Sequence, residues 1–305
     1  MFTTIARGWQ LMQQSWHVLR LDKELLLFPV FSTVACFALM ASLVVPIVVS
    51  PTIRENAHFF IQPDDPHQGV NQGGLPFRKL SVKHLVPAAV AFLFYLTTTF
   101  VIVFFNTALA CCVIERFSGG DPTLGDGLQA AIDRLPQILG WALLSATVGT
   151  ILKQVEERVP FVGQIVLRFV GMAWALVTYL IVPILASERI GPMEAVQRSA
   201  GLIRKTWGET LVGQVSLAGI QFLFYLGALV GMAVSFGLAI HFETLIPIAV
   251  GSGIVVAYVI VVTIVFSTLQ QIFLAAVYQY AAIGSVPVGF SQDLIESAFR
   301  PKRTR

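Results

Sequence analysis

Only one cation, Arg168, stands well inside an apolar run, eight residues after Pro160. An ionisable side chain at such depth either binds a ligand or ion, or pairs with a neighbour. Glu156 and Glu157, across the turn "KQVEERVP", are the partners within reach. Asn106 lies in a second run, and Gln214, Gln221, Gln270 and Gln271 in two others. An amide in hydrocarbon seeks an interhelical hydrogen bond worth about 0.6–2 kcal/mol, so helix packing is their plain role. The sharper alternative is a polar path for a solute or ion lined by Arg168, Asn106, Gln221 and Gln270. No aspartate falls in any apolar run. That excludes the paired aspartates of an intramembrane protease and gives no acid chain for protons.

The remaining chemistry-bearing types lead nowhere catalytic. His58, Asp64, Asp65, His67 and His84 fall around "QPDDPHQGVNQGG", a linker composition with no metal spacing. "SGGDPTLGDG" lacks the lysine and preceding strand of a phosphate loop, and reads as a turn and helix cap. Cys36, Cys111 and Cys112 all lie in apolar runs, as small packing residues rather than a disulfide framework. No Gly-x-Ser-x-Gly or His-Glu-x-x-His signature occurs. We therefore expect no enzyme, no cofactor and no metal.

What must position these residues is set by composition. The chain has 305 residues, 56% hydrophobic and 12% charged. Soluble domains carry about 25% charged residues, and a charge in the hydrocarbon core costs about 2.5 kcal/mol or more. The net charge of +3 is too mild to point to nucleic acid. This is the composition of a polytopic membrane protein.

A span needs about 20 apolar residues. Six runs qualify, at 25–49, 85–114, 136–152, 161–186, 210–240 and 245–283. The first is too long for a signal-peptide core and has no cleavage site, so it reads as a retained span. The last, as one helix, outruns a bilayer core of about 30 Å; we expect it to project beyond the membrane and end at Gly284 and Pro287, rather than break at Gly251-Ser252-Gly253. Gly227-x-x-x-Gly231-x-x-x-Ser235 and Ala142-x-x-x-Ala146-x-x-x-Thr150 are small-residue ridges for close helix contact.

Of the 20 Lys and Arg, thirteen fall on one side of this topology, among them Arg7, Arg20, Arg116, Arg134, Arg198, Arg204 and Lys205; six fall on the other, and Arg168 lies between. The positive-inside rule then places both termini, and the loops near 115–135 and 187–209, in the cytoplasm.

Three segments on that side have one apolar edge, at about 4–20, 122–135 and 192–207. Their stripes are Ile5-Trp9-Met12-Trp16-Leu19, Leu124-Leu128-Ala131-Leu135-Ile138 and Met193-Val196-Ala200-Ile203-Trp207. Asp121 is expected to cap the second, with Pro122 in its first turn; Pro192 opens the third. Such helices lie beside the bilayer, on span ends, on headgroups or on a partner, with Arg7, Arg134, Arg198, Arg204 and Lys205 as candidate headgroup contacts. "QQSWHVLR" (13–20) resembles "QRSAGLIR" (197–204), and "GLQAAIDR" (127–134) resembles "GPMEAVQR" (191–198). The pattern is three units of one amphipathic helix and two spans. A further amphipathic segment, "SQDLIESAFRPK", closes the chain.

The blocks "FFNTALACCVIERFSGGDPTLGDGLQAA", "WALLSATVG", "VTYLIVPILASERIGPMEAVQRSAGLIRKTWGE" and "YQYAAIGSVPVGFSQDLIESAFRPK" resemble an uncharacterised family of bacterial six-span integral membrane proteins, a domain of unknown function. Weaker likeness is to membrane domains associated with glycerophosphodiester phosphodiesterases, whose chemistry resides in a separate soluble domain with no counterpart here. The resemblance implies a bacterial inner membrane and a six-span topology over nearly the whole chain, and transfers no catalytic residue.

The fold expected is thus all-α: one integral membrane domain over 1–305, with six transmembrane and three cytoplasmic amphipathic helices, and residues 50–84 as the outer loop. The function expected is non-catalytic and membrane-organising or accessory. Its partners would be membrane lipids, a second copy or another protein. The alternative is a transporter or channel subunit for a small or lipidic solute.

Overall fold

The computed structural model of the protein describes residues 2–49, 82–157 and 159–284. Most of the loop at 50–84, Arg158 and the closing segment from residue 285 lie outside the described residues. Among the described residues there are nine α-helices, one 3-10 turn and no strand. In chain order they are α1 (Phe2–Leu21), the 3-10 turn (Lys23–Leu26), α2 (Leu27–Val49), α3 (Val82–Phe117), α4 (Leu124–Ile132), α5 (Leu135–Glu156), α6 (Phe161–Val177), α7 (Ile181–Ser187), α8 (Pro192–Phe242) and α9 (Ile246–Ile283). Six helical stretches are long and apolar enough to cross a membrane: Lys23–Leu43, Ala88–Phe117, Leu135–Glu156, Gly163–Ser187, Leu217–Phe242 and Ile246–Ile283. The chain is a multi-pass helical membrane protein.

The helix ends follow local chemistry. Pro122 precedes the cap of α4 rather than sitting in its first turn, and α4 stops at Ile132, so Leu135 and Ile138 of its expected stripe belong to α5. Two other ends differ from expectation. Asp121 does not cap α4, because Arg116 takes its carboxylate at 2.6 Å. Thr123 caps it instead. The Thr123 backbone N–H and hydroxyl donate to Asp126 at 2.9 and 2.7 Å, and the Asp126 N–H returns to the hydroxyl. This reciprocal box satisfies the first free N–H groups of the helix and holds the Asp126 carboxyl below the ordinary carboxylate range. The second difference is at Gly208. The amphipathic segment 192–207 does not end there: α8 runs unbroken through it to Phe242. One interior glycine costs about 1 kcal/mol, less than a break would in the absence of a proline. α9 is likewise continuous through Gly251-Ser252-Gly253 and stops at Gly284, whose φ of +78° needs no Cβ.

The fourth span does break. α6 ends at Val177 and α7 restarts at Ile181. Pro183 supplies the reason: it has no N–H for the Tyr179 carbonyl four residues back, and its ring would collide with that carbonyl.

The packed core sits at one end of the bundle. This is the end where Arg116 donates to the Leu21 carbonyl, Glu24 accepts from the Leu124 N–H, and Cys111 Sγ approaches the Ala186 carbonyl. We call it the basic end. The buried residues of α9 all lie from Val262 onward, and Leu269, Ile272, Ala275 and Ala276 are each at most 2% exposed. The buried part of α3 runs from Val103 to Phe117. Toward the opposite end the side chains turn outward: Val34, Leu93, Phe169, Leu229 and Ile254 are each at least 61% exposed. In water such a surface would aggregate; in hydrocarbon it is the solvated face.

Small residues hold the remaining contacts. Gly227, Gly231 and Ser235 of α8 meet Tyr258, Val255 and Gly251 of α9 in antiparallel order. Ala142 and Ala146 are fully buried, and Gly149 lies under the Tyr95 ring of α3. Both ridges read from the sequence are helix interfaces.

Asp22, between α1 and the 3-10 turn, is 8% exposed, and its Oδ2 has no hydrogen-bond partner. Desolvation, opposed by the Arg116 cation, raises its carboxyl above the ordinary value. A raised folded-state value means that ionisation costs stability. The cost is absent below the unfolded value near 3.9 and is fully present once pH has passed the folded value. Asp22→Asn should therefore raise the unfolding temperature in detergent at pH 7, with the gap to wild type closing as pH falls toward 4. A constant gap across that range would contradict this assignment.

Candidate functional site

Three groups of polar side chains remain once the apolar core is set aside. The first surrounds the break in the fourth span. The Leu180 N–H, exposed by the break, donates to Ser199 Oγ of α8 at 3.2 Å, and both residues are fully buried. A few residues on, the Glu188 carboxylate accepts from Arg198 Nε at 2.9 Å and from the Tyr278 hydroxyl at 2.9 Å. One carboxylate thus ties the end of α7 to α8 and α9 at the basic end. These are joints between helices.

The second group is a line of hydrogen bonds between α8 and α9. Gln270 Nε2 donates to Gln221 Oε1 at 3.2 Å, Gln221 Nε2 donates to the Tyr225 hydroxyl at 2.8 Å, and that hydroxyl lies 3.0 Å from Thr263 Oγ1. Two residues of the expected path, Gln221 and Gln270, are therefore brought together. Arg168 is not with them: it lies on α6, 72% exposed, with Nε 3.9 Å from Glu156 Oε1 across the α5–α6 turn. Asn106 is half-buried on α3. Gln271 is half-buried on α9, and the Gln214 side chain lies outside the described residues.

The third group is the cations. Arg204 is exposed. Arg134 is half-buried and donates to the Ala130 carbonyl at 2.7 Å. Arg198 is held by Glu188. The side chains of Arg7 and Lys205 lie outside the described residues.

Beside these groups is an apolar groove of about 510 Å³ between α1, α8 and α9, lined by Met12, Trp16, Phe224, Tyr258, Val262 and Leu269 among others. Arg20 sits over the Trp16 ring, with its guanidinium carbon 5.6 Å from the ring centre. Among the described residues no three His, Cys, Asp or Glu side chains converge to hold a metal.

Residues 85–288 match a family of unknown function, DUF6159. The chain belongs to DUF6159. The match opens inside α3 and passes the end of α9, so it takes in the Ser199 cap, the Glu188 junction and the glutamine line. It begins after α1, so Trp16 and Arg20 come from a part of this DUF6159 protein that precedes the matched region. No curated protein and no solved structure matches the chain.

Two features of the site escaped sequence reasoning. The buried face of the 192–207 segment is Ala195, Ser199, Leu202 and Ile203, whereas Met193, assigned to its apolar stripe, is 57% exposed. Hydropathy favours methionine over serine, but the Leu180 N–H needs an acceptor more than the core needs another thioether. Pro183 was the available signal, since a proline inside a span requires a donor or acceptor nearby. The corresponding face of α1 is Ser15, Val18 and Leu19, all at most 2% exposed, with Trp16 39% exposed. In the register of the two similar octapeptides, Ser15 falls on Ser199, Val18 on Leu202 and Leu19 on Ile203. In the second pair of octapeptides, Ala131 falls on Ala195, and both are fully buried.

Proposed function

We propose that this DUF6159 protein is a non-catalytic, membrane-organising or accessory component of the bacterial cytoplasmic membrane. Its basic end and both termini face the cytoplasm, where Arg134, Arg204 and Lys205 meet anionic headgroups or a partner protein. The observation that carries the reading is the placement of the core. Packing density is concentrated at the basic end of the helices, while toward the opposite end the spans turn apolar side chains outward. Arg168 stands apart from the joined glutamines, so the polar residues of the spans do not converge on one route. The matching burial of Ser15 with Ser199 and of Ala131 with Ala195 supports three related units, each delivering one amphipathic helix to the same face.

A juxtamembrane cation contributes about 1 kcal/mol to attraction by an anionic surface. The triple variant R134Q/R204Q/K205Q should therefore lose most of the enrichment of phosphatidylglycerol over phosphatidylcholine that accompanies the purified wild type. Equal enrichment in the two proteins would count against headgroup contact by these cations. Reporter fusions test the orientation: a fusion at Gln68 should report the outside and one at Ser199 the inside.

A second reading, a transporter or channel subunit for a small or lipidic solute, draws on the hydrogen-bonded line from Gln270 to Thr263. It requires a solute flux in proteoliposomes that Q221L/Q270L abolishes.

A further inference from the structure

We infer that the groove between α1, α8 and α9 is a binding site for one inner-leaflet anionic phospholipid, with an acyl chain along α9 and the phosphate at Arg20. This rests on the reading that the basic end faces the cytoplasm, and it adds a defined site and occupant.

Depth is the first argument. On α9 the groove runs from Tyr258 to Leu269, eleven residues or about 16 Å of helix. One leaflet of hydrocarbon is half of about 30 Å, or about 15 Å. Position agrees with depth. Ile246, at the turn from α8, marks the opposite end of the span. Tyr258 then lies about 18 Å below it and Leu269 about 34 Å below it, so the groove begins near the midplane and reaches headgroup level on the basic side.

Chemistry is the second argument. The groove walls are aliphatic and aromatic, apart from the Gln13 amide, the Trp16 indole N–H and the Tyr258 hydroxyl. That hydroxyl is already committed to the Phe224 carbonyl at 3.0 Å. Such walls offer a chain dispersion contacts along the depth of the groove. Beside the wall, at the turn of α1 nearest the basic end, stands a cation. Arg20 is exposed and stacks on Trp16, itself a wall residue. The Arg116 bond to the Leu21 carbonyl anchors that turn of α1 at the basic end of α3. An apolar slot one leaflet deep with a guanidinium at its headgroup end complements an anionic phospholipid, not a soluble ligand.

The test is native mass spectrometry of the full chain in mild detergent, titrated separately with phosphatidylglycerol and phosphatidylcholine. Wild type should bind the first phosphatidylglycerol at least about fivefold more tightly than phosphatidylcholine, the effect of one cation at an anionic group. Arg20→Gln should remove that preference, weakening phosphatidylglycerol more than phosphatidylcholine, whose choline cation offsets its phosphate. Val261→Trp, at an exposed lip of the groove, should weaken both lipids at least tenfold. Unchanged phosphatidylglycerol binding in R20Q overturns the inference, and because Arg20 is exposed that variant decides even where V261W does not fold. A wild-type dimer that V261W dissociates overturns it too, by giving the groove to a second copy. If R134Q/R204Q/K205Q loses anionic enrichment while R20Q keeps it, this site fails and the broader headgroup reading stands. No preference in wild type sinks both.

Discussion

Gly127→Ala is expected to destabilise the protein by about 1–3 kcal/mol, the usual range for overpacking a filled core, and Gly127→Leu to prevent assembly. A Cβ at this position would overlap Cys112 Sγ and fall 2.8 Å from Phe28 Cζ and 3.0 Å from the Ala108 carbonyl oxygen. Helix propensity works the other way, since alanine in place of glycine gains about 1 kcal/mol in a helix interior. Overlap wins because the neighbours cannot retreat. Phe28 is 1% exposed, and the Ala108 carbonyl belongs to the backbone of α3. Thermal unfolding in detergent, followed by circular dichroism, measures the loss. The double variant G127A/C112A should recover part of it, because one of the three obstructions is gone. An alanine variant at least as stable as wild type would mean that α4 does not approach α3 this closely.

Ser199→Ala carries the second large effect. It leaves the Leu180 N–H without its acceptor inside a fully buried junction. An orphaned buried donor costs about 1–3 kcal/mol, and serine to alanine changes little else. Amide exchange at Leu180 should accelerate along with the loss of stability. The cost should shrink in a Pro183→Ala background, where residue 183 regains an N–H and the helix can close over the break. If S199A costs the same with and without Pro183, the serine is not serving the break. A double-mutant cycle in thermal unfolding reads this coupling directly.

How much of this was legible beforehand depends on the kind of signal. Six apolar runs decide six spans because no polar backbone group can go unpaired in hydrocarbon, and composition alone carries that. Helix starts and stops with strong backbone chemistry were legible too: Pro192 opens α8 and Gly284 closes α9. The ridge at Gly227, Gly231 and Ser235 was readable as a contact, since only small residues let backbones approach. Its partner on α9 was not, because spacing names a face and not what it meets.

Two of the failures share one cause. Hydropathy ranks side chains singly, whereas burial here was decided by pairs. Met193 lost its place in the core to Ser199 because Leu180, nineteen residues earlier, lacks a partner. Asp121 lost the cap of α4 to Thr123 because Arg116 had claimed its carboxylate. Within the candidate site, Gln221 and Gln270 were legible as amides seeking interhelical hydrogen bonds, though not as each other's partners, while Glu188 and Tyr278, ninety residues apart, carried no such sign.

The central claim is that the packed core lies at the basic end and that the opposite halves of the helices face lipid. Power-saturation electron paramagnetic resonance in liposomes tests it most directly. Nitroxides would be placed singly at Ala276, 2% exposed, and at Val250, 57% exposed, with the native cysteines replaced by alanine. The account predicts an immobile label at position 276 that neither oxygen nor a water-soluble nickel chelate reaches. At position 250 it predicts strong relaxation by oxygen and little by the chelate. A mobile, chelate-accessible label at 276, or a chelate-accessible one at 250, would contradict it.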